Sequence, residues 1–330
     1  MKLLVTGGCG FIGSHFIHLA LERGASVVNL DKLTYAGNPA NLADVEAHPS
    51  YQFVHGDIAD PVVVATATEG ADVVVNFAAE SHVDRSILDP GEFIRTDVMG
   101  TATLLHAAQR AGVSRFLQVS TDEVYGSIVK GAFRETDPIS PSSPYSASKA
   151  GGDLQVLAWH RTYGIDAVIT RGSNTYGPKQ YPEKLIPLFV TNALDGEALP
   201  VYGDGMQIRD WMHAEDHCTG IWTVMEQGVA GEVYNVGGGH EVPNIEITNE
   251  ILALTGGDDS LIRYVADRPG HDRRYALDTT KLRGLGWEPA RTFAASLAET
   301  VVWYRDNRAW WEPIKRGEYR SYYEAQYGNR

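Results

Sequence analysis

Glycines at 7, 10 and 13, set between the apolar run Lys2-Leu3-Leu4-Val5-Thr6 and a helical stretch reaching Arg23, constrain this chain more than any other feature. Strand, glycine loop and helix in succession open a doubly wound α/β sheet. The glycines permit a tight turn and let backbone approach a pyrophosphate at the helix N-terminus, where unpaired N–H groups and the helix dipole favour negative charge. The next apolar run, Ala25 to Leu30, ends on Asp31, 18 residues after Gly13. A carboxylate there hydrogen-bonds ribose hydroxyls and repels a 2′-phosphate, so the spacing favours NAD over NADP. A glycine-rich turn beside an unrelated loop aspartate is the plain alternative; the strand, loop, helix, strand, acid order argues against it.

Further strand-like runs follow at Tyr51–His55, Ala71–Phe77, Arg115–Ser120 and Ala167–Thr170, with helix-length segments between them. That alternation predicts a Rossmann-type parallel sheet covered on both faces, with ligands outside the carboxyl ends of the strands. Gly7, Asp31, Asp57, Ala78 and Thr121 stand at those ends. After about residue 172 the pattern breaks into loops rich in proline, glycine and aromatics, with shorter helices. The expected division is an NAD-binding domain over residues 1–172, with some later segments returning to it, and a smaller α/β substrate-capping lobe over 173–330, the two enclosing a cleft.

The formal net charge of −14, from 28 basic and 42 acidic residues, argues against a nucleic-acid scaffold, though not against a local basic patch for a diphosphate. Cys9 and Cys218 have no partner at metal-ligand spacing, which leads to the expectation of no metal and a reducing, cytoplasmic setting. No apolar stretch reaches membrane-spanning length, and a core strand is read where a signal peptide would stand.

Two redox-type groups and two carboxyl groups carry the chemistry. Tyr145 and Lys149 are four residues apart, on one face of a helix that Ser142, Ser143 and Pro144 are placed to start. A lysine ammonium there is expected to depress the phenol's pKa and make it a base near neutral pH. The adjacent carboxyls of Asp122 and Glu123 can divide acid and base roles if burial and mutual repulsion keep one protonated. Hydride transfer coupled to elimination is the combined reading.

These residues resemble the extended short-chain dehydrogenase/reductase superfamily and, within it, the dTDP-glucose 4,6-dehydratases. The resemblance spans nearly the whole chain: the loop at 7–13, Asp31 to Asn38, Ala78 to Ser86, Thr121-Asp122-Glu123, Tyr145 with Lys149, Pro182 to Pro187, and Asp267 to Tyr275. It implies that Tyr145 removes the O4 proton while the C4 hydride moves to NAD. Glu123 then takes the C5 proton as Asp122 protonates the departing C6 hydroxyl, and hydride returns to C6. Thr121 is implied at O4 and Lys149 at the nicotinamide ribose.

The resemblance also implies that Phe11, Ile12, Asp57, Ile58, Ala78 and Ala79 join Gly7, Gly10, Gly13 and Asp31 around NAD, with Asp57 at the adenine amine and His82 near the cofactor pocket, though counted with the substrate contacts. Arg209, Asn244, Arg268 and His271 are implied around the dTDP-glucose diphosphate and adjoining sugar. Asn174 is placed on a phosphate, and Lys184, Leu185, Pro200 and Tyr202 on the thymine nucleoside. Arg209 beside Asp210 as a surface ion pair, His271 as a satisfied loop histidine and Tyr202 as a turn aromatic are the plain alternatives.

Two positions depart from the family: Thr175 replaces an amide in Gly172-Ser173-Asn174-Thr175-Tyr176-Gly177-Pro178, and Asp97 stands where asparagine is usual. Trp303, Tyr304, Trp310, Trp311, Tyr319, Tyr322 and Tyr323 are read as core or interface. A homodimer through residues 100–111 and 147–163 is implied. Within the same fold a nucleotide-sugar 4-epimerase or a GDP-mannose 4,6-dehydratase stays open, the Asp122-Glu123 pair arguing against the first and Asp31 with the thymidine-type residues against the second. A non-enzymatic NAD-sensing regulator would need none of Asp122, Glu123, Tyr145 and Lys149.

Overall fold

Short apolar strands joined by helical crossovers can satisfy their backbone only by pairing in parallel beneath two helical layers. The computed structural model, which describes residues 1–267, 270–317, 319 and 323, has that arrangement. Strands β1 (Lys2–Thr6), β2 (Ser26–Asp31), β3 (Tyr51–His55), β4 (Val73–Asn76), β5 (Arg115–Thr121) and β6 (Ala167–Gly172) form one sheet. They are followed by β7 (Asn174–Tyr176), β8 (Leu199–Tyr202), β9 (Ile208–His213), β10 (Val233–Val236), β11 (Glu241–Pro243) and β12 (Ile262–Val265). The large sheet has seven strands in the order β10-β6-β5-β4-β1-β2-β3, every pairing parallel.

Strand order reverses between β1 and β4, which opens a crevice at their carboxyl ends. Two apolar layers flank the sheet. Phe16, Trp222 and Met225 from helices Phe11–Glu22 and Ala214–Gln227 cover one face. Leu104, Leu105 and Val156 from helices Thr101–Ala111 and Pro144–Tyr163 cover the other.

The remaining strands make a three-stranded sheet, β11-β9-β7, and a pair, β12-β8. A third core joins them to the C-terminal helices through Trp211, Phe293, Tyr304 and Trp311. The C-terminal aromatics are therefore packing residues; Tyr319 and Tyr323 join this cluster, and Tyr322 lies outside the described residues. Among the described residues no helix is long and apolar enough to cross a membrane.

Candidate active site

The first turn after β1 is shaped by close backbone approach. Gly7 has φ 68°, and a Cβ there would lie 2.7 Å from the Ala78 nitrogen, while a Cβ on Gly13 would overlap the Gly7 carbonyl. Asp31, at the end of β2, accepts hydrogen bonds from the Cys9 N–H (2.9 Å) and the Leu33 N–H (2.7 Å), so its carboxylate also ties the glycine loop to the loop that follows β2. Burial raises the Asp31 pKa, and those two N–H groups oppose the rise.

Gly7, Gly10, Phe11, Ile12, Gly13, Asp31, Asp57, Ile58, Ala78 and Ala79 all line one elongated cavity, and its inner end reaches Thr121, Asp122, Glu123, Tyr145 and Lys149. Asp57 lies at the outer end, where its Oδ2 meets Arg95 (2.6 Å) and Lys32 (3.1 Å). Burial favours its neutral form, but the Ala59 N–H, Arg95 and Lys32 outweigh that and hold the carboxyl below its usual range. Asp57 thus carries an ion-pair network that its sequence context did not reveal.

Helix Pro144–Tyr163 starts in a reciprocal cap: the Ser143 hydroxyl accepts from the Ser146 N–H (3.1 Å), and the Ser143 N–H donates to the Ser146 hydroxyl (3.0 Å). Tyr145 therefore stands in a rigid first turn, one turn from Lys149. The expected depression of the phenol does not occur here. Burial, then Glu123 and Asp97, push the Tyr145 pKa well above its ordinary value, and the Thr121 hydroxyl opposes them. Lys149 is buried and donates to the Val119 carbonyl at 2.9 Å, so its ammonium is engaged away from the phenol.

Asp97 explains part of this. It lies 1% exposed on the π-helical segment Ile94–Gly100, where its Oδ2 takes the Ser148 hydroxyl at 2.5 Å. Burial raises its pKa to about 6 against the lowering charge of Lys149. A position that reads from sequence as helical packing is a buried acid under the first turn of the tyrosine helix.

Asp122 and Glu123 begin the short turn after β5. Asp122 is buried; its Oδ1 takes the Thr121 hydroxyl at 3.2 Å, and its Oδ2 meets no hydrogen-bond partner. Burial, then the charges of Glu123 and Asp210, raise its pKa well above the carboxylate range, while Arg209 and Thr121 pull the other way. Burial and its acidic neighbours thus favour the neutral form of Asp122 beside a less buried Glu123, the direction of asymmetry that an acid–base division of labour uses.

A second cavity opens on the other side of Glu123. Arg209, Asn244, His271, Lys184, Leu185, Pro200 and Tyr202 line it, with Asn174 and Lys184 lining both cavities. Arg209 is not a surface pair with Asp210: it is buried, donates to the Ile208 carbonyl (2.8 Å) and the Asp272 carbonyl (3.0 Å), and lies 4.3 Å over the Tyr275 ring. Tyr202 donates to Asp84 (3.1 Å) and meets His271 edge to face, and His271 lies 2.6 Å from Asp267. His82 lines this second cavity and not the cofactor one, because the chain after β4 has crossed to the other lobe's side by residue 82. Arg268 lies outside the described residues.

Two residues inside the quoted motifs escaped selection. Glu183 is buried against Arg85 (3.0 Å) in the wall of the second cavity, and Tyr275 donates to Asp272 (2.6 Å) with its pKa raised by burial and by Glu123. Their positions beside Lys184 and within the Asp267 to Tyr275 run were the available signal. Thr175 is an anchoring residue, its hydroxyl 2.8 Å from His217 Nδ1 and 3.1 Å from the Ser173 carbonyl. Among the described residues no group of three or more His, Cys, Asp or Glu could hold a metal ion.

A family model described as GDP-mannose 4,6 dehydratase matches residues 4–300. A dTDP-glucose 4,6-dehydratase of Streptomyces niveus is 55% identical over 322 residues, covering 96% of each chain. The structure of DesIV, a dTDP-glucose 4,6-dehydratase of Streptomyces venezuelae with NAD bound, has a TM-score of 0.94 at 57% identity over 96% of this chain and 100% of that one. A UDP-glucose 4-epimerase of Thermus thermophilus, also an NAD complex, has a TM-score of 0.87 at 30% identity over 93% of this chain and 100% of that one. Fold and cavity define a Rossmann-type enzyme of nucleotide sugars. The chain belongs to the 4,6-dehydratase family, on the branch of the dTDP-glucose 4,6-dehydratases.

Proposed function

We propose that this protein is an NAD-dependent dTDP-glucose 4,6-dehydratase, converting dTDP-glucose to dTDP-4-keto-6-deoxyglucose and water. The observation that carries the reading is the meeting of the two cavities at Glu123: a sugar held by its diphosphate in the second cavity reaches the inner end of the first, where Tyr145 and Asp122 stand. The residues of the first cavity fit NAD, since glycine backbone leaves room for a pyrophosphate and Asp31 offers acceptors to a ribose. NAD held by these residues would supply the acceptor for the C4 hydride and, once reduced, the hydride donor for C6.

The chain's own groups move the protons. Tyr145 takes the O4 proton, in a phenolate state that the acidic surroundings disfavour until the site is loaded; Thr121 steadies O4 and the phenolate oxygen. The new ketone acidifies C5–H, which Glu123 removes as a carboxylate. Asp122, kept neutral by burial and by Glu123, gives its proton to the C6 hydroxyl, which leaves as water. Glu123 returns its proton to C5 as C6 is reduced; Tyr145 then gives up the proton taken from O4 and Asp122 regains the one it gave to water, through solvent as product leaves, so the cycle ends with no net redox and no net change in the enzyme's protons. Arg209, Asn244, His271 and Arg268 bind the diphosphate side, and Lys184, Leu185, Pro200 and Tyr202 the thymidine side, with His82 in the same wall.

In this reading residues 1–172, joined by β10, form the NAD-binding domain, and 173–330 the substrate lobe. The protein works as a cytoplasmic homodimer through residues 100–111 and 147–163; exposed Leu154 within the second segment, with exposed Ile94 and Met99 just ahead of the first, supports the pairing, and the free thiols of Cys9 and Cys218 support a reducing compartment. Incubation with dTDP-glucose and no added reductant tests the activity. Loss of one water, with a 4-keto product, is expected. A product of unchanged mass would make the protein an epimerase, and no reaction would overturn the assignment.

A further inference from the structure

Residues 178–185 lie between the two cavities, and their contacts point both ways. Their first half is tied to the N-terminal segments beside the cofactor cavity, which Gln180 and Tyr181 line. His15 Nε2 donates to the Pro178 carbonyl at 3.0 Å, Lys179 Nζ donates to the Asn41 carbonyl at 2.7 Å, and the Tyr181 ring meets Tyr35 edge to face at 5.4 Å. Trp310 adds a bond to the Asn41 side chain at 3.0 Å, and Tyr304 holds the Gln180 carbonyl at 2.6 Å. The two non-glycine residues with left-handed backbone among those described, Leu33 (φ 54°) and Lys179 (φ 67°), sit on the two loops that face each other here. Such backbone persists only where its surroundings hold it.

The second half belongs to the other cavity. Glu183 and Leu185 line it, and Gln180 and Lys184 line both cavities; Glu183 takes the Arg85 guanidinium at 3.0 Å, and that guanidinium lies 3.8 Å over the Tyr35 ring. Lys184 Nζ donates to the Ser81 carbonyl. A chain of contacts therefore runs from the substrate cavity through Glu183, Arg85 and Tyr35 to Tyr181 over the cofactor cavity.

We propose that residues 178–185 form a strap that keeps the cofactor in the protein throughout the reaction cycle, and that a thymidine nucleotide at the strap's far end tightens it. The proposal rests on the function argued above. It has a chemical reason: hydride taken from C4 is returned to C6 of the same sugar, so a cofactor that left midway would strand the sugar as its unsaturated ketone. A ligand that fixes Lys184 and Leu185 stabilises the tied state of the strap, and linkage requires that a bound cofactor favour the nucleotide by the same factor.

The test is stopped-flow displacement of bound NADH by excess NAD, followed by NADH fluorescence, with and without thymidine diphosphate. The nucleotide is expected to slow release by about fivefold or more in the unaltered protein. Tyr35→Ala and Lys179→Ala are each expected to speed release without nucleotide by about fivefold to tenfold and to shrink the nucleotide effect towards unity. Tyr35→Phe, which keeps the ring contacts, should behave as the parent. Thymidine diphosphate that binds by calorimetry yet leaves release unchanged, or alanine variants that release NADH at the parent rate, would overturn the strap while leaving the dehydratase reading intact. Failure of NADH or thymidine diphosphate to bind at all would overturn both.

Discussion

The cofactor cavity is shaped at its glycine loop by close-packed backbone, at Gly7, Gly10 and Gly13, whereas the second cavity is lined by side chains of Arg209, Lys184, Tyr202, Asn244 and His271 from five separate segments. The first kind of site is damaged by adding atoms and the second by removing them. Glu123 lines both, and in the proposed cycle it belongs to neither scheme, because its part there depends on a charge state set against that of Asp122.

The sharpest attack on this contrast is at the junction. Glu123→Gln and Asp122→Asn are expected to lower turnover by about 10²–10⁴-fold each, because each removes a proton-transfer group. Reduced nicotinamide should accumulate in single turnover as elimination stalls, and absorbance reads this directly. Turnover within tenfold of the parent would place the elimination elsewhere.

Crossed substitutions then compare the two cavities. Gly13→Val, whose added atoms meet the Gly7 carbonyl, should weaken NAD by about 100-fold, since the backbone approach that serves a pyrophosphate is lost. Arg209→Ala should leave NAD binding within about twofold and raise KM for dTDP-glucose by about 10–100-fold, the cost of one charged hydrogen-bonding group. Calorimetry and steady-state kinetics separate the effects, and equal damage to both ligands from either variant would break the contrast.

Stability against pH gives the next test. The Asp97 carboxyl is raised to about 6 in the folded chain, above its ordinary value of 3.8, so its ionisation costs folding stability progressively from about pH 4 to pH 6 and by a constant amount above that. Asp97→Asn, which still accepts from Ser148, should be more stable than the parent by about 2–3 kcal/mol at neutral pH. That difference should vanish below about pH 4, as urea unfolding at several pH values would show; a pH-independent difference would mean packing alone. The smallest effect expected is for Thr175→Val: about 1 kcal/mol of stability from the lost contacts to Ser173 and His217, with turnover changed by less than about threefold.

The same contrast explains what could be read from sequence. Gly7, Gly10, Gly13 and Asp31 are close in the chain, and their spacing reports a local backbone geometry, so the cofactor end of the fold was legible. So were the cap at Ser143 and the Tyr145, Lys149 face. The phenol's environment was not: Lys149 turns to Val119, and Asp97 reaches the tyrosine helix from a segment about 50 residues earlier, which no local pattern encodes. The substrate cavity came from resemblance and not from periodicity, and for the same reason: Glu183 and Arg85, or Arg209 and Tyr275, meet only once the chain has folded. His82, six residues past β4, lines the second cavity, and nothing in its local pattern tells which cavity it faces.

Strand β10 has a consequence for how the polypeptide is made. It completes the large sheet by pairing with β6, although sixty residues, among them β7 to β9 and the helix Ala214–Gln227 that covers one face of that sheet, separate the two. Until the ribosome has delivered Val236, β6 has an open hydrogen-bonding edge, apolar and ready to accept any strand nearby. The N-terminal half therefore cannot mature as an independent unit during synthesis; a fragment ending at residue 172 should be sticky and poorly soluble, and one ending beyond β10 should have its sheet closed.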